Sequence, residues 1–599
     1  MPKIKILPVY PEFPLTFWSY KIAIEYTNKK ASMPPTGLAT VLAMLPEKSF
    51  SSDKIIDLNV ESLSDEKIKN SDLIFTSSMI IQEESHNEIM DRAHFFGKKV
   101  VAGGPFPTSY PDRNSRADFI VAGEAEITLP FFLEDLLKGK PKKLYTETNI
   151  PRNALNFLTK TGKADITKTP LPRWDLLDLK NYISASIQYS RGCPFDCEFC
   201  DITKLYGHEP RTKTSEQMIS ELESIYNFGH HGSVFIVDDN FIGNKKNVLN
   251  LLPHIIDWQK KHNYPFSLFT EASMNLAWPS NNTLLENMVK AGFDSVFLGI
   301  ESINPEVLKE MNKPQNTLMD QLQAVRKIQN TGLEVFGGFI IGSDKEKTSS
   351  FNELFDFIQE AGIVVAMPGL LTALRGTDLY TRLKKEGRIK EESQGNNTHQ
   401  LGFNFIQQNE SDIINGYKQL INKLYSAKNY YDRCRVLQKN QGRHFSARRL
   451  NLEGILSLEK SLKRQIFANG GLEYLKYITE TALTNPSYFP EAITQAIKLD
   501  HFRTITKETL TASDYIPLTE NLYNKFIKKA QKISKKYGDN FQENIAYLSL
   551  AVKKTIQKAE KRFEKLHKDF RKEAEIALNN LKQQLYSRIE EYKLYQQAE

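Results

Sequence analysis

Arg191-Gly192-Cys193-Pro194-Phe195-Asp196-Cys197-Glu198-Phe199-Cys200 gathers three of the chain's four cysteines into eight positions, spaced C-x3-C-x2-C. Thiolates bind soft metals, and iron–sulfur clusters are held by cysteine sulfur. Three thiolates on one tight loop hold three irons of a cubane and leave the fourth iron open to a ligand. That is a catalytic arrangement rather than one for plain electron transfer. The alternative is a zinc site completed by His208, since structural zinc takes four protein ligands. Paired x2 spacings suit zinc better than x3 followed by x2.

Working outward, the loop follows the first of six strand candidates: Ser184–Tyr189, Ser233–Val237, Ser267–Thr270, Ser295–Leu298, Val335–Ile341 and Ile363–Met367. Helical stretches separate them, so residues 181–375 predict a partial (β/α)6 barrel with its reactive end at the carboxyl edge of the strands. Those edges carry Asp238-Asp239-Asn240, Glu271, Glu301 and Gly337-Gly338-Phe339-Ile340-Ile341-Gly342. Carboxylates there suit a cationic ammonium group. Each alone reads as a solvated carboxylate or a glycine bulge; with the cysteine loop, five features at successive strand ends are hard to explain as chance.

The cysteine spacing, with the aromatic Phe199 before the last cysteine, resembles the radical S-adenosylmethionine (SAM) superfamily. The resemblance implies a [4Fe-4S] cluster on Cys193, Cys197 and Cys200, with SAM chelating the open iron and cleaved to a 5'-deoxyadenosyl radical. It implies SAM contacts at Phe199, Asp238, Asp239, Asn240, Glu271, Glu301, Gly338, Ile340 and Gly342. A low-potential electron donor of the flavodoxin or ferredoxin type is implied as well.

Residues 1–136 alternate strand candidates (Lys3–Leu7, Lys54–Leu58, Asp72–Thr76, Lys99–Ala102, Asp118–Val121) with helical stretches such as Gly37–Leu45 and Glu84–Phe96. The pattern predicts an α/β, doubly wound, Rossmann-like parallel sheet, with ligands at the carboxyl ends of its strands. No G-x-G-x-x-G follows the first strand, which disfavours a nicotinamide cofactor. Placed directly before the cysteine loop, this domain resembles the cobalamin (B12)-binding domain of B12-dependent radical SAM enzymes. Tyr10-Pro11-Glu12, Pro34-Pro35-Thr36-Gly37-Leu38, Gly103-Gly104-Pro105 and Gly123-Glu124-Ala125-Glu126 carry the likeness. The implied cobalamin contacts are Tyr10, Ser77, Ser78, Gly103, Gly104, Pro105, Gly123 and Glu124. The D-x-H-x-x-G loop of other B12 proteins is absent, which points to cobalamin without a histidine on its lower face.

Residues 137–180 read as a linker and 376–599 as an all-α C-terminal domain, with helical spacing in Asp412–Val436, Leu522–Tyr537 and Ile545–Tyr595. Leu522, Phe526, Ala530, Ile533 and Tyr537 make an apolar face bordered by lysines. Such a helix can lie on an anionic membrane; the blander reading is a packed helix with a solvated basic face. The order of cobalamin domain, radical SAM barrel and helical domain is similar to the branch that includes the hopanoid C-2 methylase. Likeness to that branch runs over about residues 1–435, through Leu205-Tyr206-Gly207-His208-Glu209-Pro210-Arg211, Gly376-Thr377 and Glu386-Gly387-Arg388. Ser343, His208 and Arg375 depart from it. The resemblance implies a methyltransferase acting on an unactivated carbon of a lipid or small molecule through the adenosyl radical and methylcobalamin. A B12-dependent cyclase or oxidoreductase acting on a tetrapyrrole is the alternative, and a non-catalytic iron–sulfur carrier is the alternative from another class. The carrier leaves Glu271, Glu301 and the glycine-rich strand without a use.

The composition fits these readings. The chain has 599 residues, 40% hydrophobic and 25% charged, with a net charge of +7. That length suggests two to four domains of about 100–200 residues each. So small a charge excess argues against a nucleic-acid partner. Four cysteines exclude a disulfide framework and fit a reducing, cytoplasmic setting. The N-terminal stretch shows no signal-peptide pattern, and no apolar run approaches the roughly 18 residues of a membrane span.

Overall fold

The computed structural model describes residues 2–150, 158–347, 349–398, 401–441, 452–537 and 540–598. The part of the expected 137–180 linker at residues 151–157 lies outside them. The chain divides into two compact units, Met1–His501 and Phe502–Glu599.

The first unit opens with a parallel sheet of β1 (Ile4–Tyr10), β2 (Phe50–Ser52), β3 (Ile56–Asp57), β4 (Leu73–Ser77), β5 (Lys99–Gly103), β6 (Phe119–Val121) and β7 (Leu144–Tyr145). Its order is β2-β1-β4-β5-β6-β7, with β3 on the carboxyl end of β1. Every pairing is parallel, with Ile6 facing Leu73 and Leu73 facing Lys99. Burial on both faces explains the apolar strand sequences. Ile6 packs with Leu38, Leu42 and Phe132 on one side, and Leu7 and Val9 pack with Ile89 and Met90 on the other. This is the doubly wound arrangement, and its strand order reverses between β1 and β4, where such sheets bind ligands. The segment expected as a linker is structured: Leu144 and Tyr145 pair with Ile120 and Val121 and extend the sheet.

The second sheet holds β8 (Ser184–Ile187), β11 (Gly232–Ile236), β12 (Phe266–Ala272), β13 (Phe293–Glu301), β14 (Glu334–Ile341) and β15 (Ala366–Leu370). Its strands run in sequence order and all in parallel, so it is a partial barrel, open between β8 and β15. The alternation along β12 defines its faces. Phe266, Leu268, Thr270 and Ala272 are buried, whereas Ser267, Phe269 and Glu271 are partly exposed on the other face. Between β8 and β11 a short antiparallel pair forms, β9 (Ser190–Arg191) with β10 (Arg211–Thr212).

A segment of the first domain reaches the barrel's open side. Ala31 bridges Tyr182 beside β8, and Ser184 N–H donates to Ser32 O at 2.9 Å. Phe17 stacks on Tyr425 at 5.8 Å, and the Tyr425 hydroxyl bonds Ala366 O of β15. Trp18 meets Phe297 of β13 at 5.0 Å.

Helices Glu410–Leu424 and Ala427–Gln441 pack against the barrel within the same unit. The fully buried Arg433 anchors them, donating to Gln359 Oε1 at 2.7 Å and Leu424 O at 2.8 Å. The expected 376–599 helical domain is therefore divided, its first part belonging to the barrel unit. In the second unit, helices Tyr515–Tyr537, Phe541–Phe563 and Lys572–Ala598 pack on one another. Leu522 and Phe526 of the lysine-rich helix are buried, as are Leu548, Leu581 and Leu585 of the neighbouring helices, whereas Ala530, Ile533 and Tyr537 are partly exposed. The first half of its apolar face is thus covered within the unit, as in the blander of the two readings. Among the described residues, no helix is long and apolar enough to cross a membrane.

Candidate cluster and cofactor site

The β9–β10 pair closes the cysteine loop at its base. Gly192 has φ +96°, and a Cβ there would meet the carbonyl oxygens of Gly207 and Glu209 at 2.8 Å, so only glycine fits. Backbone bonds fix the loop's outer side: Glu198 N–H donates to Met311 O at 3.1 Å, and Leu379 N–H to Glu198 O at 2.9 Å. Arg382 grips the Glu198 carboxylate through Nε at 2.5 Å and Nη2 at 2.9 Å. Cys193, Cys197 and Cys200 are partly exposed, free thiols. Asn240 Nδ2 points at Cys193 Sγ from 3.7 Å, and Gln315 Nε2 at Cys197 Sγ from 3.8 Å. Burial pushes all three thiols up from their ordinary range. A thiolate on this loop therefore requires a positive partner.

The strand ends bring a set of carboxylates beside this loop. Asp238 is fully buried and accepts from Tyr189 N–H at 2.7 Å and Ser190 Oγ at 2.6 Å. Both oxygens are thus engaged in fixing the chain just before the cysteines, and Asp238 positions rather than presents a charge. Asp239 and Glu271 differ: among the described residues neither forms an ion pair. Burial pushes Asp239 up to about 7, with the charge of Asp238 adding to it. Burial likewise raises Glu271 to about 8, helped by Asp239 and Glu301. Glu301 sits at the register shift that ends the β13–β14 pairing and has φ +61°, a left-handed conformation unusual for glutamate. Its carboxylate pairs with Lys313, whose ammonium lies 5.8 Å from the Phe199 ring centroid. On β14, a Cβ on Gly338 would meet Phe297 Cζ at 2.7 Å, and one on Gly342 (φ +111°) would meet Leu401 Cδ2 at 2.8 Å. Ile340 is partly exposed between them.

At the carboxyl edge of the first sheet, Gly104 has φ +92° and ψ −177°, and its absent Cβ would meet Ser77 Oγ at 2.7 Å and Ser78 N and O at 3.0 Å. Pro105 starts a short helix there. Ser78 Oγ and Thr76 Oγ1 are buried with no hydrogen-bond partner. Tyr10 ends β1, and burial pushes its hydroxyl well above its usual range. Gly103, Gly104, Ser77 and Ser78 thus form one cradle; Gly123 ends β6 on the same edge with φ +80°. Glu124 departs from this set, for its side chain turns away into buried ion pairs with Arg191 and Arg211.

Residues 187–358 match the radical SAM superfamily, 27–133 the B12 binding domain, and 377–515 a domain of unknown function (DUF4070). The chain is 42% identical to an uncharacterized methyltransferase of Synechocystis sp. over 434 residues, spanning 72% of this chain and 78% of that one. It is 37% identical to the hopanoid C-2 methylase of Rhodopseudomonas palustris, over 64% of this chain and 71% of that one. The chain belongs to the cobalamin-dependent radical SAM enzymes. The cobalamin-dependent SAM radical enzyme OxsB, solved with aqua-cobalamin bound, shares the fold of this family member with a TM-score of 0.55 at 15% identity, covering 85% of this chain and 80% of that one.

The cofactors of a cobalamin-dependent radical SAM enzyme fit the residues present. Three free thiols share one loop with amide donors aimed at two of the sulfurs, while Asp239 and Glu271 at the strand ends have no ion-pair partner among the described residues. Among the described residues, no three His, Cys, Asp or Glu side chains close around a single metal ion. His208 is exposed and lies 3.9 Å from Asp196. The cradle at Gly104, with its two unpartnered hydroxyls, suits a bulky polar ligand.

Three features escaped the sequence reading. Lys313 lies in Met311-Asn312-Lys313-Pro314, with no spacing that ties it to the cysteines. Trp18 stands in Thr16-Phe17-Trp18-Ser19, which shares in the likeness to the cobalamin-binding domain, but its contact with Phe297 of the barrel was not visible there. Arg191 and Arg211 read locally as strand and loop residues, and only the tertiary fold shows what they hold.

Proposed function

We propose that this enzyme is a methyltransferase that adds a methyl group to an unactivated carbon of a lipid or small-molecule substrate. The observation that carries the reading is the aromatic contact of the first domain with the barrel. Trp18, from the first domain, meets Phe297 on the same barrel strand that ends at Glu301 beside the cluster loop. Phe235 and Phe269 stack at 4.3 Å on the neighbouring strands. Trp18 is about half exposed at this mouth of the barrel, and an apolar lining of this kind suits a weakly polar substrate. Relatives named as methyltransferases, the hopanoid C-2 methylase among them, support both the reaction and a lipid substrate.

When bound, the cluster and SAM supply the hydrogen-abstracting radical and cobalamin supplies the methyl group, so the protein's work is binding, orientation and exclusion of water. Cys193, Cys197 and Cys200 hold the cluster, and Asn240 and Gln315 donate hydrogen bonds to the sulfurs of Cys193 and Cys197. Asp239 and Glu271 receive the SAM ammonium, whose charge draws both carboxyls into the ionised form. Asp238 holds the loop's approach in place. Phe199 and the paired Glu301 and Lys313 wall the site, and Gly338, Ile340 and Gly342 leave a flat surface for adenine. Tyr10, Ser77, Ser78, Gly103, Gly104, Pro105 and Gly123 cradle cobalamin. Hydrogen leaves the substrate as an atom, so no side chain is assigned as general acid or base. An electron donor of the flavodoxin or ferredoxin type and a cytoplasmic setting complete the proposal.

The test is anaerobic reconstitution with iron, sulfide and cobalamin, followed by incubation with cell extract and SAM carrying a deuterated methyl group. The expected result is a product heavier by a labelled methyl. A product that forms without the label would replace methylation by cyclisation or rearrangement.

A further inference from the structure

Four buried charged side chains join the cobalamin domain to the cluster loop. Glu124 and Glu126 open the helix Ala125–Leu137, directly after Gly123 at the end of β6. Arg191 and Arg211 face each other across β9 and β10 at the two feet of the cysteine loop. Arg191 donates from Nη1 to both Glu124 Oε1 and Glu126 Oε2 at 3.0 Å, and from Nη2 to Glu126 Oε1 at 2.9 Å. Arg211 Nη1 donates to the two oxygens of Glu124 at 2.8 and 3.1 Å, and to Ala164 O at 2.5 Å. Ala164 N–H donates to Glu124 Oε2 at 2.9 Å, and Thr169 Oγ1 to Glu126 Oε1 at 2.8 Å. The side chains of Glu124, Arg211, Glu126 and Arg191 are only 1%, 6%, 8% and 12% exposed.

We propose that this quartet is the positioning device that fixes the cobalamin face and the cluster loop at one separation. Two carboxylates and two guanidiniums cancel in charge, and forked arginine bonds fix orientation as well as distance. Buried ion pairs of this kind contribute little to stability compared with apolar packing, so a geometric role is the better account of their presence. The path is short on both sides: Gly123 adjoins Glu124, and Arg191 is two residues from Cys193. Under the methyltransferase reading, one substrate carbon must meet both cofactors, so a loosened quartet leaves SAM cleavage running while methyl transfer misses.

The holoenzyme, carrying cluster and cobalamin and reduced until both are paramagnetic, reports this separation by pulsed electron paramagnetic resonance. The wild type should give one narrow distribution of cluster–cobalt distances. Glu126→Gln and the milder Thr169→Val should broaden it, with the separate spectrum of each cofactor unchanged. Methylated product per 5'-deoxyadenosine should fall about tenfold or more, since a misplacement of about 1 Å in a reacting pair costs on the order of 100-fold. If Glu126→Gln does not fold, Thr169→Val carries the test, because it removes one hydrogen bond and no charge. A distance distribution unchanged in the fully loaded variants overturns the proposal. So does a parallel loss of product and SAM cleavage. The distance needs no substrate; only the product ratio rests on the methyltransferase reading, so the two can fail separately.

Discussion

Replacing Glu271 by glutamine removes a carboxyl that has no ion-pair partner among the described residues and that we assign to the SAM ammonium. Burial, reinforced by Asp239 and Glu301, raises this group from 4.5 to about 8. The folded protein therefore holds a proton that the unfolded chain has already released. Below about pH 4.5 both states are protonated and the group is neutral to stability. As pH rises toward 8 the folded state pays progressively, and above 8 the penalty is constant. At about 1.36 kcal/mol for each tenfold change in proton affinity, the penalty is capped near ~5 kcal/mol at pH 8.5 and ~1.4 kcal/mol at pH 5.5. Glu271 is partly exposed, and solvent screening lowers these to about 2 and about 0.5 kcal/mol. Glu271→Gln should then melt about 2 °C higher than wild type at pH 8.5 and within about 1 °C at pH 5.5, given the unfolding entropy of a unit this large. The assay is a pair of thermal melts without SAM at the two pH values. An equal gain at both, or a loss at pH 8.5, would refute the reasoning.

Lys313→Met leaves the Glu301 carboxylate buried and unpaired beside the cluster loop, and should destabilise by about 3–5 kcal/mol in urea unfolding; a loss under about 1 kcal/mol would mean that water replaces the ammonium. Gly104→Ala forces a side chain into a conformation that costs about 1–3 kcal/mol and presses it on Ser77 and Ser78. An absorbance titration should show cobalamin bound at least about tenfold more weakly, whereas an unchanged Kd would move cobalamin off this cradle. Cys434 is fully buried in the helix Ala427–Gln441, so Cys434→Ala should keep its full iron content and cluster absorbance; loss of iron would make it a ligand.

Most strands of both sheets were legible in the sequence because their buried faces make short runs of β-branched and aromatic residues between helices; the three-residue β2 was too short to stand out. The cysteine loop was legible because all its thiolates are local. Partners distant in sequence were not. Glu124 stands beside Gly123 at a strand end, which locally reads as ligand contact, but Arg191 and Arg211 lie 67 and 87 residues further on. Residues 137–180 look turn-rich and loose, yet Ala164 and Thr169 hydrogen-bond the same quartet and Leu144–Tyr145 extends the sheet. In Leu522–Tyr537 the apolar period predicted a buried face; helical spacing cannot say whether a membrane or a neighbouring helix covers it.

The most direct test of the account is the stoichiometry of SAM consumption by the reconstituted enzyme with its substrate. A methyltransferase of this kind uses one SAM as methyl donor and a second as hydrogen acceptor, so S-adenosylhomocysteine and 5'-deoxyadenosine should appear in near-equal amounts, each matching the methylated product. Turnover that yields 5'-deoxyadenosine and an altered substrate without S-adenosylhomocysteine would contradict it.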